Sequence, residues 1–239
     1  MESSTPFRLL RHLNTPEGAA CLGYKGYTDA LSLRYFPGDG LAERFVGALA
    51  ARNAVPVKEV LESFELFAAV RRELRAPRMA DLCAGHGLVG ALFALYERKV
   101  EHVLLVDRRP PPNRRKVLEA VHEVGPWTRD KLHERDLSLS ALELAPGTSA
   151  VSAHACGERT DRVIELGLAA GGPIAVLPCC RPHRRSSSSP AVARAVGHDL
   201  AIDIDRTYRM EQAGYKVRWT AIPEGITPMN RVLVGRPGT

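Results

Sequence analysis

The feature that most constrains this chain is a sharp turn set between an apolar strand and an apolar helix. Met79 to Leu82 is a short strand-like run, and Cys83-Ala84-Gly85-His86-Gly87 follows it at once. Gly85 and Gly87 let the backbone turn tightly and let its amides approach a bound group closely. From Leu88 to Arg98 the positions Leu88, Val89, Leu92, Phe93, Leu95 and Tyr96 form a helical stripe, so the turn opens directly into a helix N-terminus with unpaired N–H groups. The apolar run Val103-Leu104-Leu105-Val106 then closes on Asp107. Strand, turn, helix, strand and terminal carboxylate form the unit from which α/β sheets build nucleoside sites.

The rest of the chain repeats the alternation. Val57, Val60, Leu61, Phe64, Phe67, Ala68 and Leu74 make a helical face ahead of the first strand, and Arg114 to Val124 reads as the helix after the second, approached through Pro110-Pro111-Pro112. Lys131 to Leu137 supplies a third strand, Ser149 to Ala155 a fourth, Thr160 to Ala170 a helix and Pro173 to Cys179 a fifth strand. Tyr215 to Ile222 and Arg231 to Gly235 are separated only by Pro223 to Asn230, too short for a crossover helix, so they are expected to pair antiparallel. The expected class is α/β and Rossmann-like: a mainly parallel seven-stranded sheet, an antiparallel C-terminal strand pair and an N-terminal helical extension. Residues 1–56 are read as that extension, packing on the domain, with a cap over the ligand as the alternative, and 57–239 as the ligand-binding domain. At 239 residues and 45% apolar content the chain buries a full core.

Three acids end three successive strands. Asp107 suits a ribose, whose neighbouring hydroxyls both donate; Asp81 suits an ammonium; Asp136 suits an adenine amino group. Gly85-His86-Gly87-Leu88-Val89-Gly90 also satisfies the glycine fingerprint of nicotinamide and flavin proteins, so a dinucleotide stays open as the alternative ligand. Gly90, inside the helix, is read as a close-packing residue.

A second constellation follows the fourth and fifth strands: His154-Ala155-Cys156-Gly157-Glu158-Arg159-Thr160-Asp161 and Pro178-Cys179-Cys180-Arg181-Pro182-His183. Loops beyond strand carboxyl ends are where open α/β sheets bind ligands. His154 is the first candidate for a general base, because imidazole is neutral near pH 7, with Asp161 and His183 behind it. No metal is expected: Cys179 and Cys180 are adjacent and point to opposite sides of a strand, which does not suit one ion.

Taken together, Asp81 to Gly87, Asp107 and Asp136-Leu137 resemble the first, second and third motifs of the class I S-adenosylmethionine-dependent methyltransferases, over about residues 57 to 236. The resemblance implies that family's Rossmann-like fold and S-adenosylmethionine as cofactor. It implies a site of Asp81, Ala84, Gly85, Gly87, Asp107, Asp136, Leu137 and His154. It departs at Cys83-Ala84, where many members have Gly-Cys, so the turn is expected to be less open. The His-x-Cys-Gly-x-x-Thr-Asp run, the Cys-Cys pair with its nearby His, and Thr227-Pro228-Met229-Asn230 are similar to the branch that includes the acceptor-stem tRNA 2′-O-methyltransferases. The Cys/His zinc-finger region of the tRNA-modifying members is missing from this sequence.

The formal net charge of +6 leans toward RNA as methyl acceptor. Arginines cluster at Arg71-Arg72-Arg75-Arg78, Arg108-Arg109-Arg114-Arg115 and Arg181-Arg184-Arg185, and the last two clusters flank the expected site. A small-molecule or protein acceptor is the alternative. No apolar segment approaches the about 20 residues of a membrane span, the first residues lack a basic-then-apolar leader, and 5 cysteines are an odd number. A cytoplasmic enzyme with reduced thiols is therefore expected.

Overall fold

The computed structural model describes residues 5–153, 155–178 and 188–238. The helices are α1 (Pro16–Ala19), α2 (Leu41–Ala50), α3 (Val57–Leu74), α4 (Leu88–Tyr96), α5 (Arg114–Val124), α6 (Glu158–Ala170), α7 (Pro190–Val196) and α8 (His198–Gln212). The strands are β1 (Arg78–Leu82), β2 (His102–Val106), β3 (Leu132–Arg135), β4 (Ser149–Ser152), β5 (Ile174–Val176), β6 (Tyr215–Ala221) and β7 (Arg231–Pro237). They form one 7-stranded sheet in the order β3-β2-β1-β4-β5-β7-β6. The pairings of β1 with β2 and β4, of β2 with β3 and of β4 with β5 are parallel. β7 is antiparallel to both β5 and β6, so β6 again runs with the parallel set. The mixed sheet with its antiparallel C-terminal pair is the one the sequence leads one to expect.

The order reverses between β1 and β4, which opens a crevice beyond the carboxyl ends of the strands. Side chains alternate across β1: Met79 enters the core formed with α3, α4 and α5, while Ala80 and Leu82 enter the core on the other face with Val163 and Ile164 of α6. Phe7, Leu10, Leu13, Phe36 and Phe45 of the N-terminal part share the first of these cores. The buried Glu65 of α3 fastens that part by accepting from the backbone N–H groups of Arg8, Leu9 and Leu10 at 2.6, 3.1 and 3.1 Å.

Gly90 lets α4 lie directly on the sheet. A Cβ there would overlap Leu105 Cδ2 and sit 3.0 Å from Val103 Cγ1, so the residue serves close packing. Gly90→Ala is expected to lower stability by about 1 to 3 kcal/mol through overpacking, despite alanine's better helix propensity. Guanidinium unfolding followed by circular dichroism measures the change.

Several boundaries move. α4 ends at Tyr96 rather than Arg98, because Glu97 leaves the helix in an extended conformation. β4 stops at Ser152, whose Oγ accepts from the Ala155 N–H and turns the chain, and β5 is confined to Ile174–Val176. His154, Cys179, Cys180, His183 and residues 185–187 of the Arg185–Pro190 loop lie outside the described residues. The sequence pattern did not reveal α8. Its inward face carries Asp203 and Arg206 among Ala201, Ile202 and Met210, and this buried charge breaks the apolar stripe by which helices are recognised.

Candidate functional site

The carboxyl ends of β1 and β2 meet at the glycine turn. Asp107 Oδ2 accepts from the Gly85 N–H at 3.0 Å and Oδ1 from the Arg109 N–H at 2.9 Å. Ala84, almost fully buried, donates its N–H to Val106 O at 3.0 Å, and the Gly87 N–H closes the turn on Ala84 O at 2.7 Å. Beside the turn is a cavity of about 540 Å³ whose wall includes Cys83, Asp107, Leu137, Arg108, Arg109 and Arg159. Nothing within 4 Å would meet a Cβ at Gly85, whose φ of +54° calls for glycine, so that side of the turn is open. Cys83 also adopts a left-handed φ of 57°, which explains why the resembling family often has glycine at this position.

Asp81 points elsewhere. Its side chain is buried under α4, where Oδ2 accepts from the Gly90 N–H at 2.9 Å. Desolvation pushes its carboxyl up to about 7, against the opposing pull of the Gly90 N–H and the Arg114 charge. A carboxyl with a raised folded-state pKa favours folding when protonated. The unfolded chain releases this proton near the ordinary value of 3.8 and the folded chain only near 7, so folding stability is expected to fall as pH rises across that window. Asp81→Asn should flatten the dependence by a few kcal/mol, read as the difference between the two proteins in urea unfolding at pH 5 and pH 7.5.

Asp136 is 64% exposed at its side chain, and its Oδ1 lies 3.9 Å from Arg114 Nη1. Arg114 is a participant that sequence reasoning misread. The sequence groups it with the arginines that flank the site as candidate RNA contacts, yet it is 2% exposed, and its Nε donates to Gly85 O at 2.8 Å. Its Nη1 is 3.7 Å from Glu134 Oε1, and both terminal nitrogens are buried without a hydrogen-bond partner among the described residues. A positive charge thus underlies the turn and offsets the acids around it. His86, the residue between the two glycines, was also overlooked: its Nδ1 lies 2.9 and 2.8 Å from the two oxygens of Glu59, which ties the start of α3 to the turn. The only signal in the sequence was the presence of a titratable residue inside a glycine turn.

On the far side of the switch point, Gly157 turns with a φ of +64° and Thr160 Oγ1 donates to Ala155 O. Asp161 is engaged by two guanidiniums: Arg206 donates from Nε at 3.0 Å and Nη2 at 3.1 Å, and Arg209 from Nη1 at 3.2 Å. Arg206 is fully buried and also reaches Gly157 O at 3.3 Å and Asp203 Oδ1 at 3.4 Å. Arg231 holds the other Asp203 oxygen and stacks over Trp219 at 5.2 Å. Among the described residues no group of three or more His, Cys, Asp or Glu side chains is arranged to hold a metal. No helix among them is long and apolar enough to cross a membrane.

No family model matches the chain. A glutathione S-transferase C-terminal domain-containing protein of Xenopus laevis is 26% identical over 196 residues, which is 66% of this chain and 31% of that protein. The chain therefore spans about a third of the length of this curated relative. Similar solved structures include a SAM-dependent methyltransferase from Aquifex aeolicus, with a TM-score of 0.48 at 13% identity, covering 73% of this chain and 90% of that one. The methyltransferase domain of a bacterial Hen1 protein gives 0.46 at 14% identity, covering 75% and 99%. These are likenesses of backbone alone.

Proposed function

We propose that the chain is an S-adenosylmethionine-dependent methyltransferase with RNA as its acceptor, its domain spanning 57–239 and carrying 1–56 as a packed extension. The observation that carries this reading is Asp107, held by two backbone amides on the wall of a nucleoside-sized cavity with Leu137. The residues present fit the cofactor. Each Asp107 oxygen keeps acceptor capacity beyond its one amide, enough for the two hydroxyls of a ribose. Leu137 and Cys83 give an apolar flank to a purine, and the open side of Gly85 leaves room for the amino-acid portion. Gly87, at the entry to α4, and Ala84 fix the turn, Asp136 is the acceptor for an adenine amino group, and Asp81 supports the turn from beneath.

S-adenosylmethionine supplies an electrophilic methyl carbon, so an acceptor lone pair needs in-line alignment in a site shielded from water. His154 is the proposed base that takes the proton of a hydroxyl acceptor and also a neighbour of the cofactor, and His183 is the second candidate. Asp161 is engaged by Arg206 and Arg209, and through Arg206 it fixes the Gly157 turn that follows His154. With both carboxylate oxygens already taken by guanidinium donors, Asp161 is assigned a positioning role rather than proton abstraction.

A second reading has its own support. Arg108, Arg109 and Arg159 line the cavity and suit the phosphates of a dinucleotide. Incubating the protein with donor labelled in the methyl group and with fractionated cell extract separates the readings. Label entering the RNA fraction is the expected result; label entering only small molecules or protein would replace the acceptor, and no label in any fraction would favour the nucleotide-binding alternative.

A further inference from the structure

Away from the glycine turn, the N-terminal segment, the last turns of α3 and the edge strand β6 enclose a second concavity, of about 660 Å³. Its wall carries Arg8, Arg11, Arg72, Arg75 and Arg218, with Glu73 as counter-charge. Glu73 is already paired with Arg218, at 2.8 Å from Nη2, and Arg71, also on the wall, is paired with Glu97 at 2.6 Å. Among the described residues no carboxylate lies within ion-pair distance of Arg8, Arg11, Arg72 or Arg75. Net positive charge therefore remains in the groove.

The groove is built rather than incidental. Arg8 is fixed by donating from Nη1 to Ala221 O at 2.9 Å and from Nη2 to Thr220 Oγ1 at 3.1 Å. Arg218 donates from Nη2 to Ala69 O at 3.0 Å, and Arg11 from Nε to Arg8 O at 3.2 Å. The backbone that presents Arg8 is clamped by the buried Glu65, whose carboxylate has three N–H donors. Guanidiniums held in place lose little freedom when they meet phosphate oxygens, with which they make forked hydrogen bonds.

We infer that this groove binds the phosphodiester backbone of a nucleic acid. Arg72 and Arg75 span about 5 Å of the end of α3, and Arg8, Arg11 and Arg218 join them from the N-terminal segment and β6, enough charge for more than one phosphate of a strand whose phosphates follow at about 3.4 Å of axis each. A single small anion would need only one or two of these arginines, and a concave wall does not fit a flat bilayer. Along α3 the groove lies about 20 Å from Glu59, which touches the glycine turn. It therefore grips a polymer at a distance from any group reacting at that turn, and its occupancy does not depend on methyl transfer.

The test is fluorescence anisotropy with a labelled 20-nucleotide RNA, DNA of the same sequence and phosphatidylserine vesicles as the three probes, at several salt concentrations. Arg72→Glu/Arg75→Glu is compared with Lys99→Glu/Arg129→Glu, an equal charge change at exposed positions elsewhere, and circular dichroism confirms folding of both. The groove variant should lose about tenfold or more in RNA affinity, and its log–log salt slope should become shallower by about 1.4, or 0.7 per lost phosphate contact on a single strand. Arg72→Gln/Arg75→Gln should fall between it and the natural protein. Tighter binding of RNA than DNA identifies the polymer, and equal binding still supports backbone recognition. Equal losses in the groove and control variants, an unchanged groove variant, or binding to vesicles with neither nucleic acid bound would overturn the inference.

Discussion

Replacing Asp107 with Ala is expected to weaken binding of S-adenosylhomocysteine by about 100-fold or more. The carboxylate has two tasks, and the substitution removes both. It accepts from the Gly85 and Arg109 amides, which sets the shape of the turn, and in the proposed cofactor site its remaining acceptor capacity would meet the ribose diol. Hydrogen bonds to charged groups contribute about 1.5 to 3 kcal/mol each, and about 1.4 kcal/mol is tenfold in affinity, so two lost contacts account for the effect. Asp107→Asn keeps one acceptor oxygen and should lose about tenfold. Calorimetric titration measures both variants, with thermal melts showing that they remain folded. Unchanged affinity in Asp107→Ala would remove Asp107 from the site.

The second large effect concerns stability. Arg206→Met is expected to destabilise the protein by about 3 to 5 kcal/mol, because removing one member of a buried ion network leaves the others desolvated and poorly paired. Asp203 is fully buried and would keep Arg231 but lose Arg206, while Asp161 would keep Arg209 but lose Arg206. For a chain of this size the melting temperature should drop by roughly 10 °C. The double variant Asp203→Leu/Arg206→Met should recover part of the loss, since the two charges disappear together. A cost below about 1 kcal/mol for Arg206→Met would mean that the network contributes specificity rather than stability.

Much of this architecture is legible in the residues. Periodicity alone locates α5, whose Val117, Ala120, Val121 and Val124 form one buried face, and the short Pro223–Asn230 connection requires β6 and β7 to be antiparallel. Asp107 stands out because a carboxylate at a strand tip has no packing reason to be there. Features that depend on pairing between distant elements are not legible. Arg206 and Asp203 conceal α8, since a buried salt bridge reads as two surface charges until the partner is seen. Arg114 looks like one more surface arginine, and only the fold shows it beneath Gly85. Asp81 and Asp107 both look like strand-tip acids, yet Asp81 lies within β1 in register with Leu105 and turns under α4 at Gly90, while Asp107 stands just past the end of β2 and faces the cavity. The arginine groove joins residues 8 to 11 with 72 to 75 and 218, a neighbourhood that no local pattern reveals.

The most direct test of the central claim is calorimetric titration of the unmodified protein with S-adenosylhomocysteine and, separately, with NAD. Saturable binding of S-adenosylhomocysteine at one site in the micromolar range, with no heat from NAD, is the result expected for a methyl-donor pocket beside Asp107. Binding of NAD with none of S-adenosylhomocysteine would contradict it and assign the cavity to a dinucleotide.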